Sequence, residues 1–139
     1  MPNSYGIQKI PNIYHCTDFR KKYWGWIKTC CATEDFTLKH IFMYKNSQSS
    51  LEYHVKKDEN YYILSGKLKV GLRIGRAENK EVILKEGDIY HIPPGLMHMR
   101  IALEDTHIIE WSNKDDDSDS HIVEDGHTYT HEVKKWNYF

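Results

Sequence analysis

NYYILSGKLKVGLRIGRAENKEVILKEGDIYHIPPGLMHMRIA, residues 60–102, decides the fold. It holds short runs in which β-branched and aromatic residues alternate with polar ones: Asn60–Leu64, Lys67–Ile74, Lys80–Leu84, Asp88–Ile92 and His98–Ala102. That is the pattern of half-buried strands. Ser65-Gly66, Gly75-Arg76 with Glu78-Asn79, Glu86-Gly87 and Pro93-Pro94-Gly95 punctuate the runs as turns. The same rhythm extends outward to Tyr23–Cys31, Phe36–Tyr44 and Ser50–Tyr53 on one side and Asp105–Trp111 on the other. Strands spaced by roughly ten residues predict an antiparallel sandwich or barrel. No window shows a sustained 3.6-residue period, so little helix is expected.

The chain has 139 residues, which suits one domain with a real core. Residues 1–22 read as an N-terminal arm, 23–112 as the barrel core, and 113–139 as an acidic loop and a tail that packs on the barrel. The loop, NKDDDSDS at 113–120, carries no apolar residue and is expected to face solvent. Trp136, Tyr138 and Phe139 are expected to pack on the barrel or on a partner subunit.

The formal net charge of -1 gives no field for nucleic acid or an anionic membrane, which leaves small-molecule or protein partners. No apolar run approaches the roughly 18 residues of a membrane span, and the first residues lack the apolar core of a secretion signal. Cys16, Cys30 and Cys31 are odd in number and form no metal knuckle. Reduced thiols and a cytoplasmic location are therefore expected.

Two segments carry the chemistry. In SSLEYHVKKDENYYILSG, residues 49–66, Glu52 and His54 are two apart and share one face of a strand, and Glu59 opens the next strand. In GDIYHIPPGLMH, residues 87–98, a Pro-Pro-Gly turn precedes a strand that begins with His98. Glu52, His54, Glu59 and His98 together offer two imidazoles and two carboxylates. Such donors suit a divalent zinc, iron, manganese or nickel ion rather than calcium. Arg100 shares the inward direction of His98, where it meets either an anionic substrate or a structural partner. Lys56 shares the phase of His54 if the strand continues. Lys56 and Lys57 read either as a solvated basic turn or as an anion anchor or acid/base beside the metal. Tyr61 alternates in phase with Glu59. His40, His107, His91, His15, His121, His127 and His131 read as packed or surface residues rather than ligands.

These segments resemble the two motifs of the cupin superfamily. Gly87, Pro93, Gly95 and His98 match the second motif at the family's spacing, and His54, Glu59 and Gly66 match the first. Lys56 stands where that motif normally carries a second His. YWGW at 23–26, the two segments above and IVEDG at 122–126 most resemble the cupin domain of mannose-6-phosphate isomerases, in particular the bifunctional enzymes. There a Gln precedes the liganding His by two residues, the place of Glu52, and an Arg implicated in catalysis stands at the place of Lys57. The resemblance implies a single-domain, all-β cupin jelly-roll barrel of two antiparallel sheets, and a homodimer. It implies a metal at Glu52, His54, Glu59 and His98, zinc before iron, manganese or nickel. Lys56, Lys57 and Arg100 are then the catalytic candidates and an anionic sugar the substrate. The function expected is a sugar-phosphate isomerase or close relative. An iron-dependent dioxygenase and a non-catalytic binding cupin are the alternatives.

Overall fold

A computed structural model describes Gly6 and residues 9–16, 18–74, 78–124 and 127–128. The Gly75-Arg76 turn, His131 and the aromatic residues Trp136, Tyr138 and Phe139 lie outside the described residues, as does the side chain of His127. The strands are β1 (Asp18–Lys22), β2 (Gly25–Ala32), β3 (Thr37–Met43), β4 (Ser47–Gln48), β5 (Leu51–His54), β6 (Glu59–Ser65) and β7 (Lys67–Ile74). They continue with β8 (Glu78–Lys85), β9 (Ile89–Ile92), β10 (Met97–Ala102), β11 (Thr106–Ser112), β12 (Ser120–Glu124) and β13 (His127–Thr128). A single 3-10 turn, Asp117–Asp119, is the helical element among the described residues.

All pairings are antiparallel, in two sheets. One runs β1-β2-β3-β11-β6-β9. In the other, β10 is central and pairs β4, β5 and β7, while β12 adds to β5, β13 to β4 and β8 to β7. The nine segments with strand patterning all lie on strands, within a few residues at their ends. β4 is two residues long, too short for any alternation to show. β12 carries only one adjacent apolar pair, Ile122 and Val123, and is held by its pairing with β5.

Period-two alternation divides the interior into two ends. On β6 the inward residues are Glu59, Tyr61 and Ile63, and on the antiparallel β11 they are Ser112, Glu110 and Ile108. Glu59 and Ser112 therefore lie side by side at one end and Ile63 and Ile108 at the other, with Tyr61 beside Glu110 between them. Ile63 and Ile108 join Ile41, Met43, Leu68, Val70 and Leu84 in the apolar core. The other end gathers Glu59, Glu110, His54, His98 and Arg100, all buried. Leu51, Met99 and Ile101, of opposite phase to His98 and Arg100, form a second cluster with Met97. No helix among the described residues is long and apolar enough to cross a membrane.

Gly66 and Gly87 both sit in turns at positive φ, +95° and +88°. A Cβ at Gly66 would lie 2.4 Å from the Asp105 carbonyl oxygen and 2.7 Å from Thr106 Cα, whereas one at Gly87 meets nothing within 4 Å. Gly87→Ala is expected to cost only backbone strain, roughly 1–2 kcal/mol, and Gly66→Ala clearly more. Chemical denaturation of the two variants measures the difference, and equal losses would count against the close approach at Gly66.

Candidate metal centre and charged pocket

The centre forms where β5 and β10 pair, with Glu52 opposite His98. Alternation puts Glu52 and His54 on one side of β5. His98 is aimed by the turn before β10. There Gly95 has φ of +84°, and the Leu96 N–H reaches the Pro93 carbonyl at 3.4 Å. Pro94 and Gly95 thus occupy the positions a type II turn demands. The Gly95 N–H also donates to the His54 carbonyl at 2.6 Å, which ties the two ligand-bearing segments together. Glu59 enters as the first residue of β6.

The four side chains converge. His54 Nε2 lies 3.6 Å from Glu52 Oε1 and 3.7 Å from Glu59 Oε1, and His98 Nε2 lies 2.9 Å from Glu59 Oε1. Ligand atoms of Glu52, His54 and His98 lie within 4.8 Å of one another. Both imidazoles are fixed from behind. His98 Nδ1 donates to the Leu96 carbonyl at 2.9 Å, and His54 Nδ1 donates to the Asp119 carbonyl at 3.1 Å. A carbonyl only accepts, so each Nδ1 carries a hydrogen and each neutral ring turns an Nε2 lone pair to the centre. His98 Nε2 meets Glu59 Oε1 as an ion-pair contact, and both Nε2 atoms are buried without a hydrogen-bond partner.

Lone pairs that face carboxylate oxygens in a buried site call for a positive charge among them. Without a metal, protons take that part. Burial pushes the His98 imidazole down, but the Glu59 carboxylate outweighs it and the net shift is upward. For His54 burial prevails over Glu59 and Glu52, and the net shift is downward. Burial would raise Glu59, yet His98 and Lys57 hold it well below the usual carboxylate range. A set of two imidazoles and two carboxylates with outer hydrogen bonds to both rings fits a divalent transition metal.

Beside the centre lies a buried network of charges. Lys57 Nζ sits 3.0 Å from Glu110 Oε2, 3.1 Å from Glu59 Oε2 and 3.6 Å from Asp115 Oδ1. Lys39 pairs with Asp115. Arg100 lies 5.0 Å over the Trp24 ring and 5.8 Å from that of Tyr61, with Nη1 a loose 3.8 Å from Glu110 Oε1. The Tyr61 hydroxyl donates to Glu59 Oε1 at 3.3 Å.

The structure separates the two lysines, one on each of the two readings the sequence left open. β5 ends at His54, so Lys56 does not continue its inward phase and is exposed. Lys57 is buried, but its pKa is not lowered. Burial alone would lower it, and the carboxylates of Glu110, Glu59 and Asp115 reverse the shift, so the ammonium stays charged. The segment 113–120 is likewise more than a solvated loop, because the side chain of Asp115 is drawn inward by Lys57 and Lys39. Glu110 was overlooked, although it shares the phase of inward Ile108 on β11, where a carboxylate is costly unless it has a purpose. Burial and the neighbouring Glu59 raise its pKa.

A cavity of about 650 Å³ opens onto Glu52, His54, Lys57, Arg100, Glu110 and Trp24. At its rim Arg20 bridges Asp18 and Asp117, each at 3.2 Å. Among the described residues the other histidines stay outside the site. His40 Nε2 and His107 Nδ1 are 2.9 Å apart beside Trp26, His91 meets Asp58, and His121 stacks on Tyr53.

A family profile described as Cupin matches residues 32–131. No curated protein matches the chain by sequence. Among solved structures, the capsular polysaccharide assembling protein CapF of Staphylococcus aureus aligns with a TM-score of 0.71 at 20% identity, over 81% of this chain and 32% of its own. KdgF from Halomonas aligns with a TM-score of 0.61 at 22% identity, over 73% and 91%. An oxalate decarboxylase of Bacillus subtilis aligns with a TM-score of 0.73 at 17% identity, over 88% and 35%. The chain thus spans about a third of the CapF and oxalate decarboxylase chains, and at these identities the likeness concerns the fold.

The two lysines separate in one comparison. Lys57→Met leaves Glu59, Glu110 and Asp115 without their shared counterion and is expected to cost about 3–5 kcal/mol at neutral pH. Lys56→Met is expected to fall within about 0.5 kcal/mol of wild type. Glu59 and Asp115 have lowered pKa values, so their contribution is present above the usual carboxylate range and is lost as pH falls through the folded values. The gap between the variants should therefore narrow in acid, as urea denaturation at several pH values will show.

Proposed function

The chain belongs to the cupin family, and on that premise we propose that it is a metal-dependent enzyme that isomerises a small anionic sugar. One observation carries the reading: two backbone-pinned imidazoles turn unpartnered Nε2 atoms toward two carboxylates beside a cavity large enough for a sugar phosphate. Glu52, His54, Glu59 and His98 would hold the metal, zinc before iron, manganese or nickel, and it would supply an electrophile for oxygen-bound charge.

Charge on the cavity floor favours an anionic substrate. A divalent metal would offset Glu52 and Glu59. On the floor Lys39, Lys57 and Arg100 would then outnumber Glu110 and Asp115 by one, while Arg20 and Lys22 meet Asp18, Asp116 and Asp117 elsewhere on the wall. Arg100 is the cation most loosely paired, and it takes the substrate's anionic group. An aldose–ketose isomerisation moves a proton between adjacent carbons. Lys56 lies in solvent and Lys57 stays charged, so neither serves as the base. Glu110, a buried carboxyl on the cavity wall, exchanges the proton, and Lys57 holds it in place. Likeness to proteins named for polysaccharide assembly and for oxalate agrees with an oxygen-rich ligand.

A second reading, binding without turnover, is favoured by the loss of both lysine bases. The two readings separate by experiment. Purified protein is expected to hold about one zinc-type ion per chain, and His98→Ala to abolish tight binding. Loaded protein should then interconvert a hexose or pentose phosphate pair, mannose 6-phosphate and fructose 6-phosphate first. Glu110→Gln should lower kcat by about 100-fold or more with metal content kept. Loaded wild type without turnover on any such pair would replace the isomerase with the binding protein.

A further inference from the structure

The acidic segment reaches a ligand that the barrel does not hold by itself. β5 ends at His54, and the next three backbone N–H groups converge on one carboxylate. Val55 donates to Asp119 Oδ1 at 2.9 Å, Lys56 to Oδ2 at 3.0 Å and Lys57 to Oδ2 at 2.9 Å. Successive N–H groups that converge in this way form a concave anion site, and Asp119 fills it from within the chain. Asn113 clasps the same turn from its other side. Its Nδ2 donates to the Lys56 carbonyl at 3.0 Å, and its Oδ1 accepts from the Asp58 N–H at 2.9 Å.

The two imidazoles differ in how they are steadied. His98 finds its Nδ1 partner two residues back, at Leu96. His54 finds its partner 65 residues away, at the Asp119 carbonyl. One residue therefore touches His54 in two ways: its carbonyl sets the tautomer, and its carboxylate fixes the turn that leaves the His54 backbone. The orientation of the first ligand depends on an element from outside the β5–β10 pair.

Resting on the metal-centre reading above, we infer that Asp119 is a positioning residue of the metal site, and that Asp119 and Asn113 together clamp the turn through which it acts. Outer hydrogen-bond partners of liganding histidines hold tautomer and ring orientation, and their loss weakens metal affinity by roughly 10–100-fold. The carboxylate also contributes its charge at a turn of three donors, where Asn would match the shape but weaken the bonds.

The test measures zinc dissociation constants of the whole chain by competition with a chromophoric chelator. Wild type, Asp119→Ala, Asp119→Asn and Lys114→Ala are compared. Lys114 belongs to the same segment but pairs with Glu34, away from the turn. Asp119→Ala is expected to weaken zinc by roughly 10–100-fold, Asp119→Asn by less, and Lys114→Ala not at all. The visible spectrum of the cobalt-loaded Asp119→Ala protein should also shift, which a loss of stability alone would not cause. Zinc affinity within threefold of wild type in folded Asp119→Ala overturns the inference. Should that variant not fold, nitrogen-15 spectra of metal-free wild type decide instead. A neutral His54 with its hydrogen on Nδ1 supports the carbonyl contact, and one with its hydrogen on Nε2 overturns it. A wild type that binds no zinc-type metal at all defeats the metal-centre reading itself, a result distinct from normal binding by wild type and variant alike.

Discussion

Everything at the polar end of the barrel follows from a few acceptor atoms aimed at one point. His54 Nε2, His98 Nε2 and the oxygens of Glu52 and Glu59 repel one another unless a positive charge sits among them. A buried arrangement of that kind is unfavourable by itself. It persists because every ligand is held from behind by bonds that do not need the metal: the β5–β10 pairing, the Pro94-Gly95 turn, and carbonyls behind both imidazoles. On the proposed reading, the folding energy spent on this site would be recovered on binding a cation, which is preorganisation in the physical sense.

The same constraint explains the lysine beneath the site. Burial opposes the charge on Glu59; His98 and Lys57 together hold its carboxyl well below the usual carboxylate range, and Lys57 is the second counter-charge. Lys57 is then shared with Glu110 and Asp115, and Asp115 in turn with Lys39. Each group makes its neighbour's burial tolerable. Removal of one member is costly, although the network as a whole need not stabilise the fold over an apolar core of equal volume. An apolar core, however, could neither bind a cation nor orient a polar substrate.

Much of this was legible in the sequence, for local reasons. Alternation gave the strands, because a sheet with one buried face imposes a period of two. Pro94-Gly95 gave the turn, because its residue types are dictated by backbone angles. The spacing of Glu52 and His54 placed both on one face. What failed was of another kind. The directions of Lys56 and Lys57 depend on where β5 stops, and that is set by Asp119, more than 60 residues away. Asp115 faces inward because two lysines attract it, and no pattern within NKDDDSDS records them. Glu110 lay between the two cases, since its phase was readable but its partners were not.

The distribution of charge also separates the stable parts of the site from the parts that can move. At the rim, Arg20 holds Asp18 and Asp117 with side chains about half or more exposed. Such pairs contribute roughly 0–1 kcal/mol and are screened by salt. The inner pairs of Lys57 are almost fully buried, and breaking one strands a charge in the interior. Opening the rim therefore costs little, while disturbing the floor costs several times more. Separating the exposed Arg20–Asp117 contact would leave the buried pairs of Lys57 in place. Asp117 and Asp119 belong to the same short turn, so the segment that yields at the rim is anchored at its other end to the strand that carries His54. The exposed ion pair and the bonds to the segment after His54 therefore lie at opposite ends of one turn.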